Sequence, residues 1–179
     1  MPPVYTLLVQ TKEVAVEVEM KIRGLMMDPI TNMPIVILKE AAGSNILPIW
    51  VGVYEANAIQ LEIEKVVTPR PMTHDLIKSV LLGLQAHVRK IVVTNIKDDT
   101  FYAVIWIERE GQEGQLISID ARPSDALALA LRIDCPIYVD DVVLSSSKSQ
   151  NSAKEGINNE ELKRFLENLN DEDLGKYKM

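Results

Sequence analysis

Apolar and polar positions alternate from residue 14 to residue 26. Val14, Val16, Val18, Met20 and Ile22 share one face, with Glu17, Glu19 and Lys21 on the other, which predicts a half-buried strand. Asp28-Pro29 and Thr31-Asn32 mark a turn. Pro34–Glu40 and Ile46–Val51 are apolar runs around Ala42-Gly43-Ser44-Asn45, the pattern of a hairpin. The period then changes. From Tyr54 to Val67, the residues Ala56, Ile59, Ile63, Val66 and Val67 fall on one helical stripe, with Glu55 and Glu62 at its edge and Leu61 on the far side. Pro69-Arg70-Pro71 breaks the chain. A second helix is predicted from Thr73–Asp75 to about Val88, with Leu76, Val80, Leu84 and Val88 as its core stripe and Leu82 off it.

Strands return at Lys90–Ile96 and Phe101–Glu108, joined across Lys97-Asp98-Asp99-Thr100. Gly111-Gln112-Glu113-Gly114 turns the chain into Gln115–Ala121. The next helix, Ser124–Arg132, is apolar all round, which predicts the most buried helix of the protein. Pro136–Asp140 is a short last strand. Residues 145–157 are Ser-rich and polar and read as a linker. The tail, 158–179, contains an amphipathic helix at Glu160–Leu169, with Leu162, Phe165, Leu166 and Leu169 on one side. This element order predicts an α+β fold: a single domain over about 4–144 with a mixed, mostly antiparallel sheet, helices packed on it and a C-terminal amphipathic helix. Leu61 and Leu82, off their stripes, point to a homo-oligomer, most simply a homodimer.

Composition narrows the function. The 179 residues suit one domain, and 19 basic against 26 acidic side chains give a formal charge of −7. An extended basic nucleic-acid coat is thereby excluded, and any phosphate contact must be local. No apolar run reaches the roughly 18 residues of a membrane span. The first residues lack the charged region of a secretory leader, and Val4–Val9 is too short for its core. The single Cys135 cannot form an internal disulfide. Together these predict a cytoplasmic protein with no membrane partner.

Candidate chemistry gathers at two similar junctions. Arg70-Pro71-Met72-Thr73-His74-Asp75 and Asp120-Ala121-Arg122-Pro123-Ser124-Asp125 each place Arg-Pro, a polar residue and Asp before an apolar helix. Ser124 or Asp125, like Thr73 or Asp75, can simply cap backbone N–H groups, and Pro123 suits a first turn. A carboxylate, a guanidinium and a helix N-terminus together can also bind phosphate or orient water. Asp120 and Arg122 equally fit a structural ion pair. His74 is the candidate for proton transfer, against a plain surface role, whereas His87 reads as structural. Glu55 and Glu62 offer oxygen on one helix face, with Glu55 nearer a cleft. The chain carries no Walker loop, dinucleotide fingerprint, His-Glu-x-x-His motif or cysteine cluster.

These segments resemble a known family. Gly24-Leu25-Met26-Met27-Asp28-Pro29, Pro34-Ile35-Val36-Ile37-Leu38-Lys39-Glu40 and Leu47-Pro48-Ile49-Trp50-Val51-Gly52, followed by Glu55-Ala56 and the two Arg-Pro junctions, look like the bifunctional nuclease domain, in the form of its bacterial members. The resemblance runs from about Met20 to Leu144. It implies a nuclease hydrolysing phosphodiester bonds of RNA and DNA with broad specificity. On that basis His74, Asp120 and Asp125 are the candidate catalytic residues. Arg70, Arg122 and Ser124 are the candidate substrate-binding residues, and Glu55 and Asp120 are candidate ligands for a divalent cation such as Mg or Mn. The alternative is a non-enzymatic regulatory module that binds an anionic ligand.

Overall fold

The computed structural model describes residues 16–28 and 31–153. The expected domain start at residue 4, the end of the linker at 154–157 and the 158–179 tail lie outside the described residues. Within them the fold is α+β, one domain built on a seven-stranded mixed sheet. In chain order the elements are β1 (Glu17–Met27), β2 (Pro34–Glu40), β3 (Ile46–Trp50), α1 (Val53–Ile63), α2 (Thr73–Gly83), β4 (Ala86–Lys97), β5 (Thr100–Arg109), β6 (Leu116–Ala121), α3 (Pro123–Ile133), β7 (Ile137–Asp140) and α4 (Asp141–Ala153). Across the sheet the strands run β3-β2-β1-β7-β4-β5-β6. Only β4 and β7 pair in parallel, through Ile91–Val93 and Ile137–Val139. The β4–β5 turn sets Asp98 and Asp99 at φ 49° and 59°, the left-handed pair that two-residue hairpins require.

One core cluster fills the space between the sheet and the helices. Val36, Leu38, Leu47 and Ile49 from β2 and β3 join Ile91, Val93, Ala103 and Ile105 from β4 and β5. On α3 every residue from Ala126 to Ala130 is buried, so this is the central helix, flanked by α1 on one side and α2 on the other. Alternating Ala and Leu explain its position. The alanines let neighbouring backbones approach, and Leu127 and Leu129 fill what remains. The order α1, α3, α2 reaches from β1 and β2 to β4 and β5, and among the described residues leaves most of β6 exposed.

Four expectations are corrected. Helix α1 stops at Ile63 rather than Val67, because Lys65 turns left-handed at φ 54°, and Val66 and Val67 are exposed. Helix α2 stops at Gly83, so Val88 and His87 belong to strand β4. The stripe Leu76, Val80 and Leu84 faces outward at 58%, 50% and 60% exposure, where a core had been expected. The inward side of α2 carries His74, Asp75, Lys78 and Leu81 instead. The segment read as a linker is helical to Ala153. Val143, Leu144 and Ser147 are buried on one side of α4, and that packing holds a sequence whose own pattern is weak.

Candidate functional site

The two Arg-Pro junctions meet through His74 and Asp125. Met72 caps α2, and its N–H donates to Asp75 Oδ2 at 2.8 Å, so the third helical residue reaches back to hold the first turn. His74 is thereby turned inward, 7% exposed, with Nε2 3.1 Å from Asp125 Oδ1. Asp75 Oδ1 accepts from Arg132 Nε at 2.7 Å, and Lys78 Nζ donates to the Arg132 carbonyl at 2.7 Å. Arg132 also donates from Nη1 to the Ala128 carbonyl at 2.9 Å. Polar contacts therefore clamp α2 to α3 at two levels, which is why a stripe of apolar residues does not choose the buried side.

At the start of α3, Arg122 is the N-cap and Pro123 the first helical residue. No side chain caps this end, so the cap expected of Ser124 or Asp125 is not made, and Ser124 is buried. Asp125 accepts instead from Arg122, Oδ2 from Nε at 2.8 Å and Oδ1 from Nη2 at 3.2 Å. The same guanidinium donates from Nη1 to Glu55 Oε1 at 2.7 Å, in the first turn of α1. Glu55, Arg122, Asp125 and His74 thus form one chain of ion pairs and hydrogen bonds across three helices. The ion pair expected between Asp120 and Arg122 does not form. Asp120 lies opposite Val104 in the β5–β6 register, while Ile119 and Ala121 lie opposite Ile105 and Ala103. Side chains alternate along a strand, so Asp120 points to the other face of the sheet.

Two clefts meet at Arg122. The larger, about 630 Å³, lies between α2 and the β5–β6 edge and is lined by Thr73, His74, Ile119, Asp120, Arg122 and Asp125, among others. Its floor is apolar, from Ile77, Leu81, Ile105, Ile107 and Leu129. The smaller, about 320 Å³, lies on the other side of Arg122 and is lined by Glu55, Gly52, Thr100, Phe101 and Ser124, among others. Arg70 is exposed and lines neither cleft. The sequence reading missed Thr100 and Phe101, which arrive from a hairpin far away in the chain. It also missed Arg132, whose buried guanidinium no local motif announces.

The electrostatics follow from these contacts. Burial pushes the Asp125 carboxyl up, but its bonds to Arg122 and His74 outweigh that and hold it below the usual carboxylate range. Burial likewise opposes the Met72 N–H and Arg132 at Asp75, and again the partners win. The Gly114 N–H and the Arg89 guanidinium lower Glu108. Asp125, then Glu55, raise Arg122. Carboxylates depressed in the native state contribute stability that is complete above their unfolded values of roughly 3.9–4.3 and is lost as pH falls through the native ones. The thermal midpoint is therefore expected to be flat between about pH 7 and 5 and to fall below about pH 4. A midpoint unchanged down to pH 3 in scanning calorimetry would contradict these pairings.

The expected metal ligands, Glu55 and Asp120, line different clefts. Among the described residues no group of three or more His, Cys, Asp and Glu side chains is arranged to hold a metal ion. Glu55 Oε1 is bonded to Arg122 and Asp120 faces the other side of the sheet, so these two carboxylates do not fit a shared resident cation.

The bifunctional nuclease domain matches residues 36–152 of the chain, a span that contains both junctions and both clefts. The chain belongs to the bifunctional nuclease domain family. An uncharacterized protein of Mycobacterium tuberculosis is 36% identical over 157 residues, covering 84% of this chain and 92% of its own length. Bifunctional nuclease 1 of Oryza sativa subsp. japonica is 30% identical over 105 residues, 58% of this chain and 32% of that protein. Bifunctional nuclease 1 of Arabidopsis thaliana is 28% identical over 107 residues, covering 59% and 33%. No helix among the described residues is long and apolar enough to cross a membrane.

Proposed function

We propose that this protein hydrolyses phosphodiester bonds of RNA and DNA with broad specificity, in the cleft between α2 and β6. The observation that carries this reading is the His74–Asp125 pair, 3.1 Å apart beside the Arg122 guanidinium. Asp125 accepts from Nε2–H, which leaves Nδ1 of the neutral ring with the lone pair. Nδ1 takes a proton from the attacking water, the imidazolium is held by the Asp125 carboxylate, and the proton is returned to the leaving oxygen. The Arg122 donors not used by Asp125 and Glu55 face charge that builds on the phosphoryl oxygens. The only cysteine, Cys135, is no alternative nucleophile, since burial pushes its thiol up to about 11. A lone reduced cysteine also suits a cytoplasmic setting.

The experiment is single-turnover cleavage of labelled single-stranded RNA and DNA by highly purified protein, with and without chelator. The chelator arm reads whether Mg or Mn arrives with the substrate phosphates. Equal cleavage by wild type and by a His74→Ala preparation would mark a contaminating nuclease and overturn the assignment. One observation favours the second reading, a non-enzymatic module binding an anionic ligand: the chain carries none of the Walker, His-Glu-x-x-His or cysteine-cluster motifs, while Arg122 stands exposed where both clefts meet. Phosphate or nucleotide binding without cleavage of either polymer would select it.

Gly52 tests the Arg122 chain from a distance. A Cβ there would strike Glu55 Oε2. Gly52 has φ −71°, so alanine brings no backbone strain, and Glu55 is expected to swing away from Arg122. The Gly52→Ala protein should melt within about 3 °C of wild type, as for a change of under 1 kcal/mol, and cleave several-fold more slowly. Unaltered cleavage would remove Glu55 from the site.

A further inference from the structure

We infer that β6 and the outer side of α2 form a two-fold interface between two copies of this chain, joined through their β6 strands into one continuous sheet. β6 is the last strand of the sheet, and no further strand pairs with its outer edge among the described residues. Its one charged side chain is Asp120. Its sequence, Leu116-Ile117-Ser118-Ile119-Asp120-Ala121, has no Lys, no Pro and no bulge against β5.

Ile117 and Ile119 face the helix side of the sheet, opposite Ile107 and Ile105, yet they are 42% and 44% exposed. Beside them Ile77, Val80 and Leu84 follow i, i+3, i+7 spacing on α2, and Leu76 lies next to that row. Ile77 and Ile119 line the same cleft, so the two surfaces are continuous. These six side chains are between 39% and 60% exposed, on the order of 500 Å² of apolar surface. A standard interface takes about 800 Å² from each partner, an apolar centre with a polar rim, so this patch is the right size for the centre.

A second copy is the occupant that this geometry satisfies best. Antiparallel pairing of a strand with its own copy has its two-fold axis perpendicular to the sheet. The helices of both copies then stay on one face, and α2 meets its counterpart across the joined β6 strands. One operation covers both rows toward the C-terminal end of α2, leaves open the His74–Arg122 end of the cleft at the first turns of α2 and α3, and satisfies the open main-chain groups of the edge. Among the described residues the two apolar rows themselves carry no basic side chain, and Arg122, at the far end of the cleft, is bonded to Asp125 and Glu55. Lys78, the nearest lysine on α2, is turned to the Arg132 carbonyl. In a chain with a net charge of −7, an uncharged patch is where two copies approach with least repulsion.

The test uses the full chain. Sedimentation or light scattering at micromolar concentration should give about twice the 20.1 kDa of one copy. Ile117→Lys and Val80→Lys place a charge in the centre from the strand and from the helix, and each should weaken association at least about 30-fold, as for an interface hot spot. Val80 is half exposed on a helix, so its variant keeps the test valid if the strand variant misfolds. Hydrogen exchange gives an independent readout: the amides of residues 116–121 should be protected in the dimer and lose protection on dilution. A monomeric mass at tens of micromolar would overturn the inference. So would a dimer that neither lysine weakens, or β6 protection that is independent of concentration, which would mean that the chain covers its own edge.

Discussion

Replacing His74 by alanine is expected to slow single-turnover cleavage by about 10²–10⁴-fold, the usual contribution of a positioned general acid or base. The imidazole is held by Asp125 at 3.1 Å and sits at the base of the larger cleft, beside Thr73 and Arg122. The protein should survive the change. Arg122 still engages both oxygens of Asp125, and Arg132 still anchors Asp75, so α2 stays clamped to α3. The cost in stability should stay near the ~1 kcal/mol of one net hydrogen bond. A rate profile against pH separates chemistry from damage: loss of the group that moves the proton changes the shape of the profile, whereas partial unfolding scales the whole curve. A loss below roughly threefold, set against the 10²-fold lower bound, would remove His74 from the mechanism.

The legible and illegible parts of this fold divide along physical lines. Strand β1 follows apolar alternation because one face is mainly buried, whereas β2 is a continuous apolar run because both of its faces are buried. Helix α3 was readable because an Ala-Leu run without a polar face has to be enclosed. The orientation of α2 was not. Its residues offered an apolar stripe at Leu76, Val80 and Leu84 and a polar one at His74, Asp75 and Lys78, and hydrophobicity alone selects the first. The protein buries the second, because Asp125, Arg132 and the Arg132 carbonyl wait on α3, about fifty residues further along the chain. Partners that distant leave no local pattern. The same limit applies to the site. Both Arg-Pro junctions could be picked out as helix starts, and their meeting through His74 and Asp125 is a tertiary fact. Asp120 shows the reverse case. Its neighbourhood in sequence suggested an ion pair with Arg122, while the strict two-residue period of β6 sends its side chain to the opposite face.

Truncating Leu127 to alanine should produce the largest loss of stability among single core changes on α3. Its side chain is fully buried on a helix packed against α1, α2, β4 and β5, so closing the gap would need several elements to move. Such a deletion costs about 2–5 kcal/mol, a transfer contribution plus that of the cavity left behind. Against a total of roughly 5–15 kcal/mol this is a large fraction. The expected fall in thermal midpoint is on the order of 10 °C for a domain of this size. In urea the midpoint should drop with the slope unchanged, since the surface exposed on unfolding is nearly the same. Leu82→Ala, at a position 58% exposed on α2 and off both apolar rows, is the control and should stay within about 0.5 kcal/mol. The folded fraction of Leu127→Ala should cleave at close to the wild-type rate, because Arg122, Asp125 and His74 keep their mutual bonds. That is the opposite signature to His74→Ala, which keeps stability and loses rate. A Leu127→Ala protein destabilised by less than 1 kcal/mol would show that the helices relax around α3, and that the polar clamps at Asp75 and Asp125, rather than its packing, hold the layer in place.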